Sequence, residues 1–168
     1  ALAAEVDALD GAVLALRQRS GMLHVERHAK EARKVWERIE AARAAVSAHE
    51  ASEAALQGLD HGVGGAAVSH ATVARIAALA APHHELWTLA ADALADLDRW
   101  RDDADVRSLN GAVVLRKLNA LHDHVTALRE RLCADDEAEG ARDAASSLLL
   151  TICELLAPDA KRLIAAAS

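Results

Sequence analysis

Apolar residues recur every three or four positions over most of this chain, the spacing that gathers them on one face of an α-helix. Val25, His28, Ala32, Val35, Ile39, Ala42, Val46, His49, Glu53 and Leu56 keep one such register. Val73, Ile76, Ala80, His83, Trp87, Ala90, Leu94 and Leu97 keep a second. Val114, Leu118, Leu121, Val125, Leu128 and Leu132 form a third, and Ala141, Ala145, Leu148, Ile152 and Leu155 a fourth. Strict apolar–polar alternation is absent and Ala dominates, so the chain reads as helix throughout. The stripes are separated by Gly58–Gly65, Asp102–Ser108 and Asp135–Gly140, while Pro82 and Pro158 can each open or kink a helix. The pattern predicts an all-α fold: an antiparallel up-down-up-down four-helix bundle over 21–168, with helices about 21–58, 66–103, 109–134 and 140–167.

Residues 1–20 form a separate N-terminal helical segment. Leu2, Val6, Leu9, Val13 and Leu16 make a stripe of their own, which loses phase with Val25 and His28 around Ser20-Gly21. If the first bundle helix ran straight, this segment would overhang the core. An apolar stripe in water costs about 25 cal/mol per Å², so it must fold back, pair with another copy or continue a longer parent helix. These five residues are therefore the expected interaction surface, for a protein partner or for self-association.

Composition narrows the classes. The net charge of −7 carries no basic footprint for nucleic acid. No apolar run is long enough to span a membrane, and the longest, Leu148–Cys153, is stopped by Glu154. With no signal-like N-terminus, a cytoplasmic protein or a soluble fragment of a larger one is expected. Phe and Tyr are absent and Arg far outnumbers Lys, which reads as a GC-rich genome. Reflecting the helices through their loops sets Cys133 and Cys153 roughly 18 Å apart at 1.5 Å per residue, too far for a disulfide; both are expected as free thiols.

Three helical families share fragments with the chain. Glu5-Val6-Asp7-Ala8-Leu9-Asp10 with Leu14-Ala15-Leu16 resembles the first helix of all-helical chorismate mutases, but Ala3 stands where that family has its first active-site arginine. His49-x-x-x-Glu53 resembles one ligand pair of hemerythrin-like di-iron bundles, without a second pair on another helix. Pro82-His83-His84-Glu85-Leu86 resembles the closing motif of the zinc-binding helical domain of chemoreceptors, with Trp87 in place of its second histidine. Each likeness stops at a departure, and none assigns the chain to a family.

The chemistry-bearing residues are histidines. His28, His49 and His83 fall on apolar stripes, an uncommon place for a titratable group. Loop reflection brings Trp36, Trp87, His83 or His84, His122 or His124, and Cys153 towards one mid-bundle layer, where imidazole and thiolate could hold a transition metal or haem. The competing expectation is that Trp36 and Trp87 fill core volume, with the histidines at its edges. His49 and Glu53, one turn apart on the inner face, read as half of a metal site, or else as a neutralised pair bonding across the bundle or a wetter end near the Gly-rich loop. His24 and His28 show two ligands only, and the acidic groups Asp102–Asp105 and Asp135–Glu137 read as solvated loops. No phosphate loop or nucleophile elbow is present. The resulting expectation is a non-enzymatic module for protein–protein interaction or oligomerisation; the alternative is a metal- or haem-binding sensor or carrier.

Overall fold

The structure, a computed structural model, describes residues 2–55, 69–101 and 111–156. These residues form five α-helices and no strand: α1 (Leu2–Arg17), α2 (Val25–Ala55), α3 (His70–Arg101), α4 (Gly111–Cys133) and α5 (Glu139–Glu154). A single 3-10 turn, Met22–His24, leads into α2. Ser69 caps α3, its hydroxyl accepting from the Thr72 N–H at 3.2 Å. The Gly58–Gly65 and Asp102–Ser108 breaks, Leu56, His61 and Pro158 lie outside the described residues. No described helix is long and apolar enough to cross a membrane.

The stripes read from the sequence are largely the buried faces. Val25, Ala32, Val35, Ile39, Ala42 and Val46 on α2, and Val114, Leu118, Val125, Leu128 and Leu132 on α4, all enter one core. α3 is different. Ala77, Leu86, Ala93 and Trp100 are buried beside its predicted stripe, so its apolar surface wraps well beyond one face. A helix buried on several sides is a central helix. Accordingly, α3 packs against α1, α2, α4 and α5.

The packing departs from a ring of four helices with an overhanging first segment. α2 and α3 are long antiparallel partners: Glu50 pairs with His70 near their junction, Trp36 stacks on His84, and His28 meets Trp87 further along. α1 folds back onto this pair, with Glu5 on Arg38 and Asp10 on Arg75. Val6, Leu9, Val13 and Leu16 are at most 3% exposed, and Leu2 packs at the edge of the same core. The stripe is thus covered by α2 and α3 of its own chain. α4 and α5 cover the other half of α3, from Glu85, which Arg131 bonds, to Trp100. The result is two three-helix layers, α1–α2–α3 and α3–α4–α5, sharing α3.

The two layers meet end to end where α1 stops and the α4–α5 turn begins. Gly140 makes that approach sterically feasible: a Cβ there would lie 2.5 Å from the Ser20 Cβ and 2.7 Å from the Arg19 carbonyl oxygen. Gly21 turns the chain from α1 towards α2 at φ +92°, a conformation L side chains rarely adopt.

Candidate functional site

The end-to-end junction holds a densely bonded charged group. Asp135 closes the α4–α5 turn by accepting from the Glu137 backbone N–H at 3.0 Å. Arg17, in the last turn of α1, donates to it through Nε at 2.8 Å and through a second guanidinium nitrogen. His83, on α3, places Nε2 3.2 Å from the same carboxylate. The three side chains are 16, 11 and 0% exposed for Arg17, Asp135 and His83. Arg142, from α5, fastens the turn from below by donating to the carbonyls of Leu132 and Asp135. One carboxylate therefore ties α1, α3 and the α4–α5 turn together, a use of acceptor capacity only an ionised Asp can offer.

Electrostatics follow from that bonding. The Arg17 guanidinium, with help from the Glu137 N–H and His83, holds the Asp135 carboxyl well below the usual carboxylate range. Asp135 in turn raises Arg17. His83 moves down because burial penalises its charged form more than Asp135 favours it. A neutral His83 facing a carboxylate must carry its proton on Nε2, so Nε2–H donates to Asp135. Nδ1 is then a bare acceptor, and it is buried with no hydrogen-bond partner.

A second buried histidine lies nearby. His28, on α2, donates from Nε2 to the Ser20 carbonyl at 2.9 Å and packs its ring 4.7 Å from Trp87. Trp87 sits one turn beyond His83 on α3 and is fully buried. Above the network the surface opens as a notch of ≈ 610 Å³, with Leu14, Leu79 and Pro82 along its floor and Arg17, Arg131, Asp136 and Glu137 around its rim. Pro82 has no N–H, so the Ala78 carbonyl on this wall cannot receive its usual helical bond.

The structure scatters most of the residues the sequence nominated. His83 reaches the junction and is a polar core residue. His84 leaves it, stacking on the half-buried Trp36 with centroids 5.0 Å apart and planes at 5°; burial pushes its imidazole down. Trp36 is half-buried against His84, while Trp87 is fully buried against His28. His122 is half-buried beside Asp123, His124 is exposed, and Cys153 is exposed on α5. The inner-face placement of His49 and Glu53 is corrected: they bond each other at 3.1 Å but are 52 and 54% exposed, on a stretch of α2, residues 47–53, that is exposed throughout. Among the described residues no group of three or more His, Cys, Asp or Glu could hold a metal ion. Cys133 and Cys153 are free thiols. The reading of Asp135 as solvated loop charge is corrected, since its side chain is only 11% exposed beneath Arg17 and His83; an acidic turn and a helix-end arginine carry no local sign of pairing across 118 positions. Comparison of the chain with protein-family models, curated proteins and solved structures returns no match.

Proposed function

We propose that this chain is a non-enzymatic helical module that binds another protein or a second copy of itself, using the notch between α1 and the α4–α5 turn. The observation that carries this reading is Leu14, which is 42% exposed on the outer face of α1 where it lines the notch. An apolar floor inside a rim of both charge signs matches the anatomy of protein interfaces. The Arg17–Asp135–His83 network lies just beneath and fixes the relative positions of the three elements that frame the notch, which lowers the ordering cost of binding. The expected surface has changed faces: Val6, Leu9, Val13 and Leu16 serve the chain's own core, and the outer side of the same helix takes their place. His83 itself is fully buried, and its Asp135 partner, which borders the notch, is already bonded to Arg17, the Glu137 N–H and His83, which favours a binding role over a catalytic one. Exposed free thiols suit a cytoplasmic setting. The metal or haem alternative draws no support from the dispersed histidines.

Photo-cross-linking tests the reading. A photoreactive residue is placed at Leu14, and separately at the exposed Glu130 on α4, in the protein expressed in its native cells. A discrete product at Leu14, absent at Glu130 and lost on Leu79→Glu, is the expected result. Identical products at both positions, or none at Leu14 together with a monomer at every concentration in sedimentation velocity, would overturn it.

A further inference from the structure

We propose that the His83–Asp135–Arg17 contact is an acid-operated latch, holding the end of α1 against the α4–α5 turn and releasing it when His83 takes a second proton. The inference does not depend on a partner at the notch. Its basis is the geometry of the imidazole. Nε2–H is committed to Asp135, and the only place for another proton is Nδ1, which is buried without an acceptor. Protonation there would bury both a positive charge and an unsatisfied N–H, each costly in a low-dielectric site. Opening the junction lets water reach the ring and removes both penalties.

The surrounding charges do not cancel this cost. From α1, Arg17 opposes a second positive charge. From the turn, Asp135 attracts it, but that carboxylate already accepts from Arg17, the Glu137 N–H and Nε2 of His83 itself. The Glu137 carboxylate is taken by Gln18 at 3.4 Å. On α4, Arg131 is paired with Glu85 of α3, and on α5 Arg142 is spent on backbone carbonyls. On α3 itself, His84 stacks on Trp36. On α2, His28 is bonded to the Ser20 carbonyl, and its own Nδ1 is likewise buried without a partner, but its ring packs on Trp87 and makes no bond to Asp135.

The junction is also open to local separation. The side-chain bonds that cross it, Arg17 to Asp135 and Gln18 to Glu137, are polar. The segment that follows, Gln18–Gly21, is exposed. Elements joined through few apolar contacts open at lower cost than the core. The sign is definite. His83 has a lower proton affinity in the closed junction than in water, so closure is favoured above its ordinary value of 6.5 and weakens as pH falls below it. One proton gives a loss of up to about tenfold in closing equilibrium per pH unit.

Hydrogen exchange on the full chain between pH 7.5 and 5 tests the latch, reported as protection factors so that the intrinsic pH dependence of exchange divides out. Protection of Leu14–Arg17 should fall below pH 6.5 by up to about tenfold per unit, while that of the Ile39 region on α2 holds. His83→Gln, whose amide can donate to Asp135 but cannot titrate, should remove the pH dependence; His124→Gln, which alters an exposed imidazole on α4, should keep it. Flat protection in the wild type, loss in step with Ile39, or an unchanged response in His83→Gln would each overturn the proposal. Should His83→Gln fail to fold, a ¹⁵N titration of the wild-type imidazole replaces it: Nδ1 protonation must coincide with the loss of α1 protection, and a mismatch overturns the latch.

Discussion

Replacing Asp135 with Asn removes one charge while leaving shape nearly intact, and the structure indicates a large cost. Arg17 would lose a bidentate carboxylate while only 16% exposed. The Asn carboxamide offers one acceptor oxygen to the donors of Arg17, His83 and Glu137, and its NH₂ must face at least one of them. Hydrogen bonds to charged groups contribute about 1.5–3 kcal/mol each, and orphaning one partner of a fully buried pair costs about 3–5 kcal/mol. The site is slightly open to water, so about 2–4 kcal/mol is expected. For a chain of this size each kcal/mol moves the midpoint by about 2–4 °C. Thermal unfolding followed at 222 nm and pH 7 would read the shift for Asp135→Asn, Arg17→Met and the pair. The double variant should lose much less than the sum of the singles, with a coupling of about 1–3 kcal/mol. The carboxylate's share is present above its ordinary value of 3.8 and is lost as pH falls towards the depressed folded value, so the gap between wild type and Asp135→Asn should narrow only below that point. A loss under about 0.5 kcal/mol, or additive singles, would refute the claim that this network holds the junction.

Two further outcomes follow from the packing. Gly140→Ala should destabilise by about 1–3 kcal/mol despite the better helix propensity of Ala, because its Cβ meets Ser20 and the Arg19 carbonyl; a midpoint equal to or above wild type in the same melt would contradict the close approach. His49→Ala with Glu53→Ala should change stability by less than about 0.5 kcal/mol, and added zinc should leave wild-type and variant midpoints alike; a zinc-dependent rise lost in the variant would restore the metal reading.

The sequence carried the helices well because periodicity reports which residues share a face. Val114 to Leu132 and Ala141 to Leu155 are buried as their spacing implies. Periodicity does not report whether anything covers that face. The α2 stripe continues in phase through His49 and Glu53, yet both are exposed. Nor does it report how many neighbours a helix has, although the spread of Ala77, Leu86 and Trp100 around α3 was a readable sign of a central position. His83 was found because a histidine on an apolar stripe is conspicuous. Its partners were not, because Asp135 and Arg17 become neighbours only when one helix ends against another's turn, a relation no local pattern encodes.

The sharing of α3 bears on how this protein comes apart. Each three-helix layer buries its apolar face on the same helix, so neither can be excised with a complete core. Removing α4 and α5 would bare Leu97 and Trp100, and removing α1 would bare Ile39 and Ile76. Damage in one half is therefore felt in the other through a common backbone. Tolerance to truncation, insertion or circular permutation should accordingly be lowest within α3 itself, which acts as the keel to which both flanks are fastened.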